Sequence, residues 1–80
     1  MPWLKAAHER AATSHERAAA AHDRAAELSD DQGHLLLASQ ARERARRHRD
    51  QALVERQLAH LRGEWIERSR ARGARLAGDR

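Results

Sequence analysis

Eighty residues with 16 Lys+Arg, 12 Asp+Glu and no Cys, Phe or Tyr leave room for one domain, 1–80, and for very little large apolar core. Domains near this size hide only about 60% of the surface of the unfolded chain; without cysteine neither a disulfide framework nor a thiolate metal site compensates, so self-association or partner binding is the expected source of stability. No apolar run nears the ~20 residues that span a bilayer, and Met1-Pro2-Trp3-Leu4-Lys5 has neither the apolar segment nor the cleavage site of a secretion signal, so a cytoplasmic protein without membrane contact is expected.

The first helix, expected over 3–28, is written as a repeat. His8-Glu9-Arg10-Ala11-Ala12, His15-Glu16-Arg17-Ala18-Ala19 and His22-Asp23-Arg24-Ala25-Ala26 recur every seven residues. A strict heptad keeps one seam of a helix turned toward a neighbour. Spacings of three and four place that seam on Leu4, Ala7, Ala11, Ser14, Ala18, Ala21, Ala25 and Leu28. Alanine has the highest helix propensity, and Pro2 suits the first turn, where its missing N–H costs nothing.

Ser29-Asp30-Asp31-Gln32-Gly33 breaks the pattern with turn chemistry. Gly33 or a neighbour is suited to a left-handed conformation, and the Ser and Asp side chains to capping the next helix. A link this short forces antiparallel neighbours.

The second helix is expected over 34–62, with continuation to about 69 if Gly63 does not end it, followed by a basic, fraying tail over 70–80. Its seam is read as Leu35, Ala38, Ala41, Ala45, His48, Ala52 and Ala59. Folding the chain at residue 31 sets Leu28 on Leu35, Ala25 on Ala38, Ala18 on Ala45, Ser14 by His48 and Ala11 on Ala52. The fold class is therefore all-α: an antiparallel, coiled-coil-like helical hairpin with an alanine-rich seam, assembling into a helical bundle, with a homodimer as the favoured oligomer. Residues 1–33 carry four basic and six acidic side chains and residues 34–80 twelve and six, so the two halves attract each other and leave arginine in surplus.

Three constellations bear on chemistry. His8, His15 and His22 are spaced by seven residues, about 10 Å apart along a helix, too far to share an ion, and His8-Glu9 lacks the second histidine of a zinc-protease motif. His15 with His48 across the hairpin lacks a carboxylate or thiolate to complete a site, so no metal and no cofactor are expected. Histidines along an interface edge would, however, repel each other once charged in acid. No nucleophile–base arrangement, phosphate loop or water-excluding cleft is present, so no catalytic residue is assigned and an enzyme is not expected. Arg42, Arg44, Arg46, Arg47 and Arg49, extended by Arg56, Arg62, Arg68, Arg70, Arg72 and Arg75, form a ridge suited to phosphate, interrupted by Glu43, Asp50 and Glu55. Pairing of the ridge with Glu9, Glu16 and Asp23 would leave little charge for nucleic acid.

The third constellation is Val54, Leu58, Leu61 and Trp65, with Ile66, at spacings of four, three and four. The stripe falls away from the alanine seam, so unless a kink near Gln51 rotates it inward, it stands exposed, as interfaces do. Ala12, Ala19 and Ala26 give helix 1 a second small-residue face beside the first. These features point to a helical interaction or oligomerisation module of adaptor, scaffold or small-inhibitor type with a protein partner. The alternative is a nucleic-acid binder using the arginine ridge and the basic tail. The HERAA heptads, short glycine-containing turn and Arg-rich helix resemble small Ala/Arg/His-rich helical proteins of high-GC bacteria and their phages over residues 6–60, a resemblance that implies no activity and no functional residues.

Overall fold

A computed structural model describes residues 2–78, with side chains for 3–74. Two helices, α1 (Pro2–Asp31) and α2 (Leu35–Gly78), fold back on each other as an antiparallel hairpin 72 Å long and 14 Å by 12 Å across. No strand occurs among the described residues.

The turn is shorter than the sequence suggests, because α1 absorbs Ser29, Asp30 and Asp31. Gly33, at φ +76°, supplies the one left-handed residue among those described. Its N–H donates to the Asp30 carbonyl at 2.9 Å, and the His34 N–H to the Ser29 carbonyl at 2.7 Å. That pair of bonds is a Schellman motif, which satisfies two of the carbonyls a helix end leaves orphaned. The entry to α2 is then made by the His34 carbonyl, which accepts from Ala38 N–H at 3.0 Å. Ser29, Asp30 and Asp31 thus belong to the end of α1, and the capping role expected of them toward α2 is not theirs.

α2 is unbroken at Gln51 and passes through Gly63 without interruption to Gly78, so the helix expected to end between 62 and 69 includes most of the segment read as a fraying tail. Residues 79–80 lie outside the described residues. α1, with 30 residues, is about 45 Å long and α2, with 44, about 66 Å. The C-terminal part of α2 therefore projects past the start of α1. Near that point Gly63, Glu64 and Ile66 are half-buried, and Gly63 lies against the Lys5 side chain of α1.

The core consists of single methyl groups. Ala12, Ala19 and Ala26 on α1 face Ala38, Ala41, Ala45, Ala52 and Ala59 on α2, each at most 6% exposed. Each buried methyl contributes on the order of 0.8 kcal/mol, and no large side chain is fully buried among the described residues.

On α1 the seam differs from the sequence reading by one position. Ser14, Ala21, Ala25 and Leu28 are exposed, and Leu4, Ala7, Ala11 and Ala18 are only half-buried. Leu35 on α2 is also exposed, so the expected pair Leu28–Leu35 is not part of the buried seam. Each heptad carries at least two consecutive alanines after its arginine, and either of these two fits a helical seam. What selects the second is the charge one turn further on, described next.

Candidate functional site

Residues three and four apart are neighbours on a helix surface, so each buried row has a flanking row on either side. Four residues after Ala12, Ala19 and Ala26 come Glu16, Asp23 and Asp30; four after Ala38, Ala45 and Ala52 come Arg42, Arg49 and Arg56. These rows meet along one edge of the hairpin. Arg42 donates to Asp30, Arg49 to Asp23 and Arg56 to Glu16, the last also through Nε at 2.8 Å. Each pair of residue numbers adds to 72, so the three rungs are spaced evenly. Asp30, by hydrogen bond and by charge, raises the Arg42 guanidinium further above its ordinary range.

The ladder has an empty fourth rung. Glu9 occupies the acidic position, and the residue opposite it in the series is Gly63. Glu9 pairs with Lys5 at 3.2 Å instead.

Between the alanines, the histidines enter the interface. His8 Nδ1 lies 2.5 Å from the Glu55 carboxylate. His15 and His48 approach Nδ1 to Nδ1 at 2.9 Å, and the His22 ring stacks on His48 at 5.4 Å with 11° between planes. His48 holds the seam position expected of it, but its partner is His15, not Ser14. Among the described residues no three His, Asp or Glu side chains converge as metal ligands.

The arginine ridge is largely occupied from within. Arg46 and Arg47 pair with Glu43, at 2.7 Å and 3.5 Å, and Arg68 with Glu64 at 3.7 Å. Arg44, Arg62, Arg70 and Arg72 make no ion pair among the described residues; the Arg75 side chain lies outside them. The acids that neutralise the ridge are Glu16, Asp23, Asp30, Glu43 and Glu64; of the three expected to do so, Glu9 does not take part.

The opposite edge of the hairpin has no cross-helix Arg–carboxylate pair among the described residues and carries most of the exposed large apolar side chains. Four residues before His8, His15 and His22 come Leu4, Ala11 and Ala18, and the corresponding row on α2 is Leu37, Arg44, Gln51, Leu58 and Trp65. One further turn outward lie Gln40, Arg47, Val54, Leu61 and Arg68 on α2, with Ala7, Ser14, Ala21 and Leu28 on α1, so the apolar part of α2 on this face is its stretch from Val54 to Trp65. The residues read from sequence as the α1 seam therefore share one exposed face with the α2 stripe. On that face Trp65 is 60% exposed, Leu61 57%, Val54 55% and Leu58 38%. Ile66 is half-buried, because it continues the buried alanine row toward the start of α1. Trp3, Leu36 and Leu53 are exposed as well, although none was singled out by spacing.

No helix among the described residues is long and apolar enough to cross a membrane. Comparison with protein-family models, with curated proteins and with solved structures finds no match to this chain.

Proposed function

We propose that the protein is a non-enzymatic helical interaction module that associates with a protein surface, its own or another's, through the face carrying Val54, Leu58, Leu61 and Trp65. The observation that supports this is the division of the hairpin's two edges. One is closed by three Arg–carboxylate rungs, and the other leaves an indole and three aliphatic side chains more than a third exposed. Large apolar side chains at helical spacing on a small chain are the usual anchors of helix-on-helix recognition.

A second reading is favoured by Arg44, Arg62, Arg70 and Arg72, which face no carboxylate within the described residues. Arg70 and Arg72, with Arg62 beside them, would give the projecting end of α2 an affinity for phosphate, with nucleic acid as partner. Molar mass from light scattering, with and without a mixed-sequence DNA or RNA fragment, separates the two. A discrete oligomer that ignores nucleic acid, and that Leu61→Asp with Trp65→Asp reduces to monomer without loss of helicity, supports the interaction module. A nucleic-acid complex that weakens steeply with salt in a protein otherwise monomeric overturns it.

A further inference from the structure

We propose that the occupant of the apolar face is a second copy of this chain, related by a two-fold axis running along the hairpin, so that both turns lie at the same end of a four-helix bundle. This rests on the interaction reading above and adds the partner and its orientation.

The exposed area is sufficient for an interface with a partner of this size. A compact monomer of 9.1 kDa exposes about 4,900 Å², whereas this chain exposes 6351 Å². The excess, roughly 1,400 Å², is more than the ~800 Å² that each partner contributes to a standard stable interface.

Charge fixes the orientation. Arg10, Arg17 and Arg24 recur every seven residues on the side of α1 directly away from its buried row, and none makes an ion pair among the described residues. The same outer row on α2 is Glu43, Asp50, Gln57 and Glu64. With His15 level with His48, Asp50 stands at a height between Arg10 and Arg17, and Glu43 between Arg17 and Arg24.

Two symmetric ways of stacking the apolar faces exist. A two-fold along the hairpin lays α1 of each copy antiparallel on α2 of the other, and the arginine row then runs beside the acidic row at matching heights on both flanks. A two-fold across the hairpin lays α1 on α1 and α2 on α2, which sets arginine against arginine and acid against acid. Like charges along an interface suppress an arrangement and complementary ones select it. The same-end arrangement also brings Leu58, Leu61 and Trp65 of the two copies together at the open end of the bundle.

The chain has no cysteine, so Gln32→Cys creates a unique labelling site in the turn. A spin label there reads the distance between turns in the assembled protein. Packed layers about 10 Å apart give a label separation below about 30 Å, while the opposite arrangement holds the turns about 45 Å apart, the length of α1. A dimer with the short distance is the expected result. A dimer with the long distance overturns the orientation and leaves the interaction reading standing; a chain that stays monomeric and binds no copy of itself overturns the inference at its root. Reversing Arg10, Arg17 and Arg24 to Glu should weaken dimerisation at least tenfold, and adding Glu43→Arg and Asp50→Arg should restore most of it. Failure of that rescue in a helical, folded variant also overturns the proposed pairing.

Discussion

His15 and His48 meet Nδ1 to Nδ1 at 2.9 Å in the middle of the hairpin, a contact with room for one proton and not two. One ring donates and the other must offer a lone pair. His22 stacks on His48 from the same side, and His8 lies 2.5 Å from the Glu55 carboxylate across the same interface. His48→Gln removes the first contact and His8→Gln the second, and each should lower the melting temperature at fixed pH by about 5 °C. Unchanged melting temperatures in both variants would remove the histidines from the account.

The position of the α1 seam can be tested with one pair of variants. Ala19 is 1% exposed, and a leucine there must force the helices apart, at a cost of about 1–3 kcal/mol. Ala18 is half-buried at the edge of the exposed apolar face, so Ala18→Leu should leave the hairpin's stability within about 0.5 kcal/mol. Denaturant titration of the two variants decides it; equal destabilisation would return the seam to the other alanine row.

Gly63 lies inside a continuous helix and opposite the unfilled rung of the ladder. Gly63→Ala should stabilise the chain by about 1 kcal/mol through helix propensity, since the new methyl meets only the Lys5 side chain, its Cε at 3.2 Å and Cδ at 3.4 Å. That chain is flexible and can move aside. Gly63→Arg should keep most of this gain and draw Glu9 from Lys5 into a fourth cross-hairpin pair. A Lys5→Ala background isolates the new rung, and a gain there no larger than that of alanine would argue against it.

The rungs themselves are half-exposed: the Arg49 and Asp23 side chains retain 51% and 39% of their accessible surface. A double-mutant cycle on this pair should give a coupling below about 1 kcal/mol. The ladder's contribution is therefore mainly to register, and raising salt from 0.1 M to 1 M should lower the melting temperature by only a few degrees.

The sequence displays the hairpin clearly, because heptads, a glycine-containing link and a second alanine row leave few other folds open. It also displays Ala38, Ala41, Ala45, Ala52 and Ala59, since each is the only alanine at its height on α2. The α1 seam was ambiguous for a physical reason. Consecutive alanines such as Ala18 and Ala19 differ by about 100° in direction but not in size or polarity, so small-residue periodicity fits both. The discriminating signal lies in the charges: Glu16, Asp23 and Asp30 must face Arg56, Arg49 and Arg42, and only Ala12, Ala19 and Ala26 at the interface allow that. The same requirement brings the histidines inward. The exposed stripe on α2 was legible because Trp65 and Leu61 cannot share a face with the alanines. The continuity of α2 past Gly63 was not, since two further glycines weaken local propensity without deciding the outcome.

An interior made only of methyl groups also shapes how the molecule responds to temperature. Heat-capacity change on unfolding follows the apolar area newly exposed to water, and a seam of alanines conceals little of it. The stability curve should be correspondingly shallow and broad, with calorimetric melting spread over a wide interval and cold destabilisation pushed far below freezing. A second copy covering Leu58, Leu61 and Trp65 would steepen that curve, so the temperature profile should sharpen as protein concentration rises.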